Sequence, residues 1–357
     1  MKAYAVILAG GRGERFWPMS RRDFPKQFLS LFDRNSLVRM TSRRVSSVCP
    51  LSAQRFVIDR PLGRVLARQL KLTKQNFVFE PFGRNTAPAI ALAAAYVARR
   101  DPKSVMVVLP ADHLIEDVKS FQGALRFAIE VAVTGRLVTF GIRPERPDTS
   151  YGYIEVGPLL TRSAAGKAFA VRRFREKPDA RQAKQFLKKG SFWWNSGMFV
   201  WRTDVFLKAV ERCMPEFFSD LMRFQGFIGT SREASELKRM YARTKSESVD
   251  YAIMEKSSNV AVIPASFDWD DVGSWLALER HFPKDAAGNV AIGESIRLDS
   301  GNCLTMNDAG LVALVGCRGL IVVRTADAVL VCHKDKAGEI KRLLAEMRQD
   351  TKMDKYL

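Results

Sequence analysis

Over roughly the first 145 residues, short apolar runs alternate with longer stretches of helical periodicity, and nothing else in the chain limits its fold so strongly. The runs at 3–8, 55–59, 76–80, 104–109 and 137–142 are β-rich and bounded by turn chemistry, with helical patterns near 36–48, 61–71, 86–100 and 117–134. Such alternation returns the chain through a helix after each strand. It predicts an α/β domain: a Rossmann-like, mostly parallel mixed sheet flanked by helices. Asn85-Thr86-Ala87-Pro88 opens one helix with a capping side chain and a proline in the first turn.

After residue 145 the texture becomes mixed. Residues 151–156 and 169–174 alternate like paired strands, a helix follows near 180–189, then a strand at 197–201 and helices to about 256. Beyond Val290, short β runs at 313–315, 320–323 and 328–331 recur between Gly, Asn and Asp, and Lys336 to Met347 reads as an amphipathic closing helix. A length of 357 residues suits two or three units. The expected division is a large α/β domain over 1–285 and a small β-rich domain over 286–357.

The charge is strongly positive: 57 Lys+Arg against 38 Asp+Glu leave +19. Nucleic acid, anionic lipid and phosphorylated substrates would all be drawn to such a surface. The basic residues are scattered, as at Arg43-Arg44 and Lys188-Lys189, without a basic stretch interleaved with aromatics. A generally basic surface is therefore expected rather than a nucleic-acid partner. The five cysteines are widely spaced with no CxxC, which argues for a reducing compartment and against structural zinc. The longest uncharged helical run, Thr86 to Ala98, is too short to span a membrane, so the chain is expected in the cytoplasm with no membrane partner.

The first strand runs straight into Leu8-Ala9-Gly10-Gly11-Arg12-Gly13-Glu14-Arg15, and Pro25-Lys26-Gln27-Phe28 follows shortly after. Glycines at a strand's carboxyl end let backbone N–H groups approach a phosphate. The dinucleotide pattern fails because Phe16 occupies its third glycine, and the Walker pattern fails because no Gly-Lys-Ser/Thr ends the loop. Two cations, Arg15 and Lys26, beside such a loop suit a triphosphate; a plain tight turn is the alternative. Asp112 stands just after the strand Val105 to Leu109, where either a metal ligand or a helix cap would be found.

Taken with Glu80-Pro81-Phe82-Gly83-Arg84-Asn85-Thr86-Ala87-Pro88, Pro110-Ala111-Asp112-His113, Tyr151-Gly152-Tyr153, Glu176-Lys177-Pro178, Trp194-Asn195-Ser196-Gly197, Val249 to Lys256 and Trp269-Asp270-Asp271-Val272-Gly273, these motifs resemble the sugar-nucleotide pyrophosphorylases. Within them the chain is similar to the mannose-1-phosphate guanylyltransferases. The resemblance implies transfer from GTP to mannose 1-phosphate, with GDP-mannose and pyrophosphate as products and Mg²⁺ as cofactor. A heptose or glucose phosphate, or another nucleoside triphosphate, would undergo the same chemistry.

The resemblance also distributes roles. Asp112 and Asp271 would hold the metal; Arg15 and Lys26 would neutralise phosphates; Leu8, Ala9, Gly10, Gly11 and Gly13 would bind the nucleotide. Arg84, Asn85 and Thr86 would lie on the guanine side. Gly152, Glu176, Lys177 and Asn195 would receive the sugar phosphate, although taken singly Glu176-Lys177 reads as a surface turn and Asn195 as a turn former. Tyr251 to Lys256 reads equally as a pocket wall or as core packing, and His113 as a positioning residue. By resemblance the small domain is a short left-handed β-helix that admits homodimer contacts, and the isomerase activity carried by a further domain in many relatives is not expected. The physical logic is simple: an anionic phosphate must approach an anionic α-phosphate, so cations and positioning supply most of the catalysis.

Overall fold

The computed structural model describes residues 1–357. By contact it forms two compact units that interleave along the chain: Met1–Gly10, Arg39–Ala111 and Ile115–Trp269 in the first, Gly11–Val38, Asp112–Leu114 and Asp270–Leu357 in the second.

The first unit is built on nine strands: β1 (Ala3–Leu8), β2 (Gln54–Ile58), β3 (Phe77–Phe79), β4 (Val105–Pro110), β5 (Leu137–Ile142), β6 (Tyr153–Ser163), β7 (Gly166–Arg175), β8 (Phe192–Arg202) and β9 (Val260–Pro264). Their order is β3-β2-β1-β4-β8-β5-β9-β7-β6, with a further β6–β8 pairing. β3, β2, β1 and β4 run parallel, as do β5 and β9. β8 enters antiparallel between β4 and β5, and β7 is antiparallel to both β6 and β9. The α/β class holds, with the parallel part concentrated in the first four strands. β1 (AYAVIL) and β4 (VMVVLP) are apolar and buried almost throughout, the pattern of strands covered on both faces.

The helices are α1 (Leu37–Val45), α2 (Arg60–Leu70), α3 (Thr86–Ala98), α4 (Val118–Val133), α5 (Ala180–Lys189), α6 (Thr203–Cys213), α7 (Pro215–Gln225) and α8 (Glu233–Arg243). Asp59, Asp117 and Asp179 cap α2, α4 and α5 by accepting backbone N–H bonds, satisfying donors that a helix start leaves orphaned. α3 is apolar on every side because it is buried between the sheet and the helices α6 and α7. Sequence reading missed β9, a short apolar run that carries no alternation to distinguish it from core helix.

In the second unit, β10 (Val290–Ile292), β11 (Ser295–Leu298), β12 (Leu304–Asn307), β13 (Val312–Val315) and β14 (Leu320–Arg324) stack as parallel coils. Val290, Leu304 and Ile321 align in one column, and Ser295 and Val312 in another. β15 (Val329–His333) closes the stack antiparallel to β14. The short helix α9 (Trp275–Leu278) precedes the coils, and α10 (Ile340–Met347) follows them. Gly293 turns a corner at φ 89°, where a Cβ would stand 2.1 Å from the Asn307 carbonyl oxygen. No helix is long and apolar enough to cross a membrane.

Candidate active site

Within the second unit, the segment after Gly10 folds so that its glycines serve different ends. Gly13 has φ 61°, and a Cβ there would come within 2.3 Å of the Lys26 Cβ. Only glycine lets the loop and the Lys26 backbone approach this closely. Gly11, by contrast, faces open space, with no atom within 4 Å of a Cβ built there. Ser20 donates to the Gly13 carbonyl at 2.8 Å and Gln27 to that of Gly11 at 3.0 Å, which hold the loop's shape.

The Lys26 ammonium, almost wholly buried, donates to Asp112 Oδ2 at 2.9 Å and to the Asp271 carbonyl at 2.7 Å. Arg15 Nη1 donates to the Gly273 carbonyl at 3.3 Å. Arg15, Lys26, Asp112, His113 and Asp271 line one open depression of about 380 Å³. Side chains from separate chain segments thus converge on one depression. Burial works to raise the Asp112 carboxyl, but the charges of Lys26 and His113 outweigh it and hold Asp112 below the usual carboxylate range.

A single antiparallel bridge sets this convergence. Leu114 N–H donates to the Asp270 carbonyl at 2.9 Å and Asp270 N–H returns to Leu114 at 3.1 Å, drawing the two Asp-bearing segments together. The neighbouring aspartates then divide their work. Asp270 is buried and its carboxylate accepts from Arg280 at 2.7 Å, lies 2.8 Å from His281 Nε2, and takes the Val272 N–H at 2.8 Å. Despite burial, those bonds bring it down to about 2. Asp271 is the one that lines the depression. Val272 sits at φ 47°, which a β-branched residue adopts only when its surroundings force it. No three His, Cys, Asp or Glu side chains cluster as a metal cage. Two carboxylates, Asp112 and Asp271, at an open depression would instead suit Mg²⁺, which keeps waters and takes substrate phosphate oxygens.

The first unit holds two further groups. Around α3, Arg84 Nε donates to the Tyr241 carbonyl at 3.0 Å, Asn85 accepts the Thr86 N–H at 2.8 Å, and Thr86 Oγ1 accepts from Val249 N–H at 2.9 Å. These side chains are engaged in building the segment. The residue that sequence reasoning passed over is Glu80. Its Oε1 accepts from the Tyr241 hydroxyl at 3.1 Å, and its Oε2 stands 3.5 Å from a Cβ built on Gly10. Burial pushes Glu80 up to about 7 against the help of Tyr241, with Asp59 adding repulsion.

The second group gathers Gly152, Glu176 and Asn195. A Cβ on Gly152 would lie 2.4 Å from Glu176 Oε2, so any side chain here would displace the Glu176 carboxylate. Asn195 donates to Asp250 Oδ1 at 2.9 Å and accepts from Thr139 at 3.0 Å, which fixes its amide orientation. Lys177, at φ 42°, lies 3.7 Å from Glu176 with its side chain mostly exposed. Burial and the Asp250 charge push Glu176 up to about 7, and burial pushes Asp250 up to about 6. Asp250 opens a π-turn over Asp250–Met254. Its quoted motif was visible in the sequence, but its hold on Asn195, 55 residues away, was not.

A mixed α/β sheet whose first strand feeds a glycine loop, with cations and paired aspartates at a common depression, defines a nucleotide-handling transferase. Residues 4–288 match the nucleotidyl transferase family model, and residues 293–347 match the mannose-phosphate isomerase/GMP-like β-helix domain. The chain belongs to the nucleotidyl transferase family. A mannose-1-phosphate guanylyltransferase of Klebsiella pneumoniae is 40% identical over 98% of this chain and 74% of its own length. The alginate biosynthesis protein AlgA of Pseudomonas aeruginosa is 36% identical, over 96% of this chain and 71% of the relative. A crystal structure from Thermus thermophilus, described as a mannose-1-phosphate geranyltransferase, superposes with a TM-score of 0.86. It is 36% identical and covers 98% of this chain and all of that one.

Proposed function

We propose that this chain transfers the guanylyl group of GTP to α-D-mannose 1-phosphate, forming GDP-mannose and releasing pyrophosphate. The observation that carries the reading is the convergence of Arg15, Lys26, Asp112 and Asp271 on one depression. The 40% identity to a mannose-1-phosphate guanylyltransferase supports the choice of substrates.

In this reading a sugar-phosphate oxygen attacks the α-phosphorus in line. The bond from that phosphorus to the oxygen bridging to the β-phosphate breaks, and the electron pair leaves with pyrophosphate. The nucleophile is already ionised, so no general base is required and His113 serves to position the site. Leu8, Ala9, Gly10, Gly11 and Gly13 cradle the nucleotide; Arg15 and Lys26 offset the charge of its phosphates. Asp112 and Asp271 would hold Mg²⁺, which when bound draws charge from the phosphate oxygens. Glu80 is the carboxylate best suited to the guanine edge, with Arg84, Asn85 and Thr86 shaping that side. Gly152, Glu176 and Asn195 receive the sugar hydroxyls and Lys177 its phosphate. All five cysteines are free, which fits a reducing compartment such as the cytoplasm.

A pyrophosphate-release assay with GTP across a panel of sugar 1-phosphates tests this. Mannose 1-phosphate should give the highest kcat/KM, and Asp112→Asn should lower kcat by about a hundredfold or more. Turnover with UTP or dTTP but not with GTP would remove the guanylyl assignment.

A further inference from the structure

The depression that holds the paired aspartates has a wall not drawn from the glycine loop. Lys341, in the first turn of α10, lines it together with Arg15, Lys26, Asp112 and Asp271. The helix is seated by the burial of Ile340 and Leu344, while Lys341 itself is exposed. Arg348, at the end of α10, pairs with Glu14 of the glycine-loop segment. Farther on, Trp17 Nε1 donates to the Tyr356 carbonyl at 2.8 Å. These contacts hold the closing helix against the phosphate loop.

The cations around this depression differ in how firmly they are engaged. Lys26 is already bonded to Asp112 and to the Asp271 carbonyl, and Arg15 to the Gly273 carbonyl. Arg342, next to Lys341, pairs with Glu339 and Glu346. Lys341 pairs with no carboxylate, although Asp112 and Asp271 line the same depression. Its charge is therefore available to an anion. A lysine is a compact charge on a flexible stem, suited to following a phosphate group that must depart. The β- and γ-phosphates carry most of the charge of a nucleoside triphosphate, and they become the leaving pyrophosphate.

We propose that Lys341 is a ligand of the β- and γ-phosphates of the bound triphosphate and of the pyrophosphate it yields. The inference rests on the nucleotidyl-transfer reading above. As the bond between the α-phosphorus and its bridging oxygen breaks, the charge arriving on that oxygen is met by the Lys341 ammonium. No proton need move. The closing helix of the β-coil segment thereby becomes part of the phosphate site.

Titration calorimetry with Mg²⁺-pyrophosphate on the full chain, compared across wild type, Lys341→Ala, Lys341→Met and Lys341→Arg, tests the idea directly. Loss of one charge-assisted contact should weaken pyrophosphate binding about tenfold to a hundredfold in the Ala and Met variants, with Arg restoring most of it. In steady-state assays the KM for GTP should rise in parallel while that for mannose 1-phosphate stays unchanged. Unchanged pyrophosphate affinity in both neutral variants would overturn the proposal, as would an equal rise in the KM for mannose 1-phosphate. A wild-type protein that binds pyrophosphate yet transfers no nucleotide would sink the functional reading alone, leaving Lys341 to be judged by its binding data.

Discussion

At Glu80, burial beside the start of the glycine loop pushes a carboxyl up to about 7, so near neutral pH it readily gains a proton that a well-matched ligand would expel. Guanine presents two adjacent donors, its N1–H and its exocyclic amine, which the two oxygens of one carboxylate can accept together. Uracil places a single N–H between two carbonyls that would repel the same group. Glu80→Gln should therefore raise the KM for GTP about tenfold or more while changing that for UTP little, measured by pyrophosphate release. Asp270 and Asp271 make the complementary point. They are chemically identical neighbours, and only the family resemblance, not their local sequence, set Asp271 apart. Asp270 is consumed by Arg280, His281 and the Val272 N–H, leaving Asp271 to the depression.

Among the elements, the glycine loop was legible from its composition, but its internal division was not. The loop glycines were all read as making room for phosphate. Gly13 instead makes room for Lys26, and Gly11 faces open space. Gly13→Ala combines a left-handed φ with a 2.3 Å clash, so it should destabilise the fold by about 1–3 kcal/mol and displace Lys26, with kcat falling accordingly. Gly11→Ala should leave the thermal midpoint unchanged, and any activity it loses would report on ligand approach. Differential scanning fluorimetry beside the kinetic assay separates the two. β9 escaped because a five-residue apolar run fits a strand or a core helix equally well. The pairing of β8 between β4 and β5 escaped because strand order depends on partners far away in sequence.

For the molecule as a whole, three carboxyls lie well above their ordinary values: Glu80 and Glu176 near 7, and Asp250 near 6. Each binds its proton more tightly folded than unfolded. The stability it lends is complete below its unfolded value, near 4 to 4.5, and is lost as pH rises through 6 and 7. The thermal midpoint of the unliganded protein should accordingly fall by a few degrees between about pH 5 and about pH 8. Glu80→Gln and Glu176→Gln should each shrink that fall, gaining stability at the alkaline end where they lose function. A midpoint that rises over this range would contradict the assignment of these buried carboxyls.

The sequence by itself determined the alternation of strands and helices, the cap at Asn85 and the glycine loop, because periodicity, turn preference and charge are local properties of a few adjacent residues; the class of chemistry came from motifs spread along the chain. Only the tertiary structure decided that Asp270 is taken up by Arg280 and His281, which carboxyls burial shifts upward, and that Lys341 lines the same depression as Arg15 and Lys26. Burial and pairing are set by neighbours brought from distant parts of the chain, and no local pattern records them.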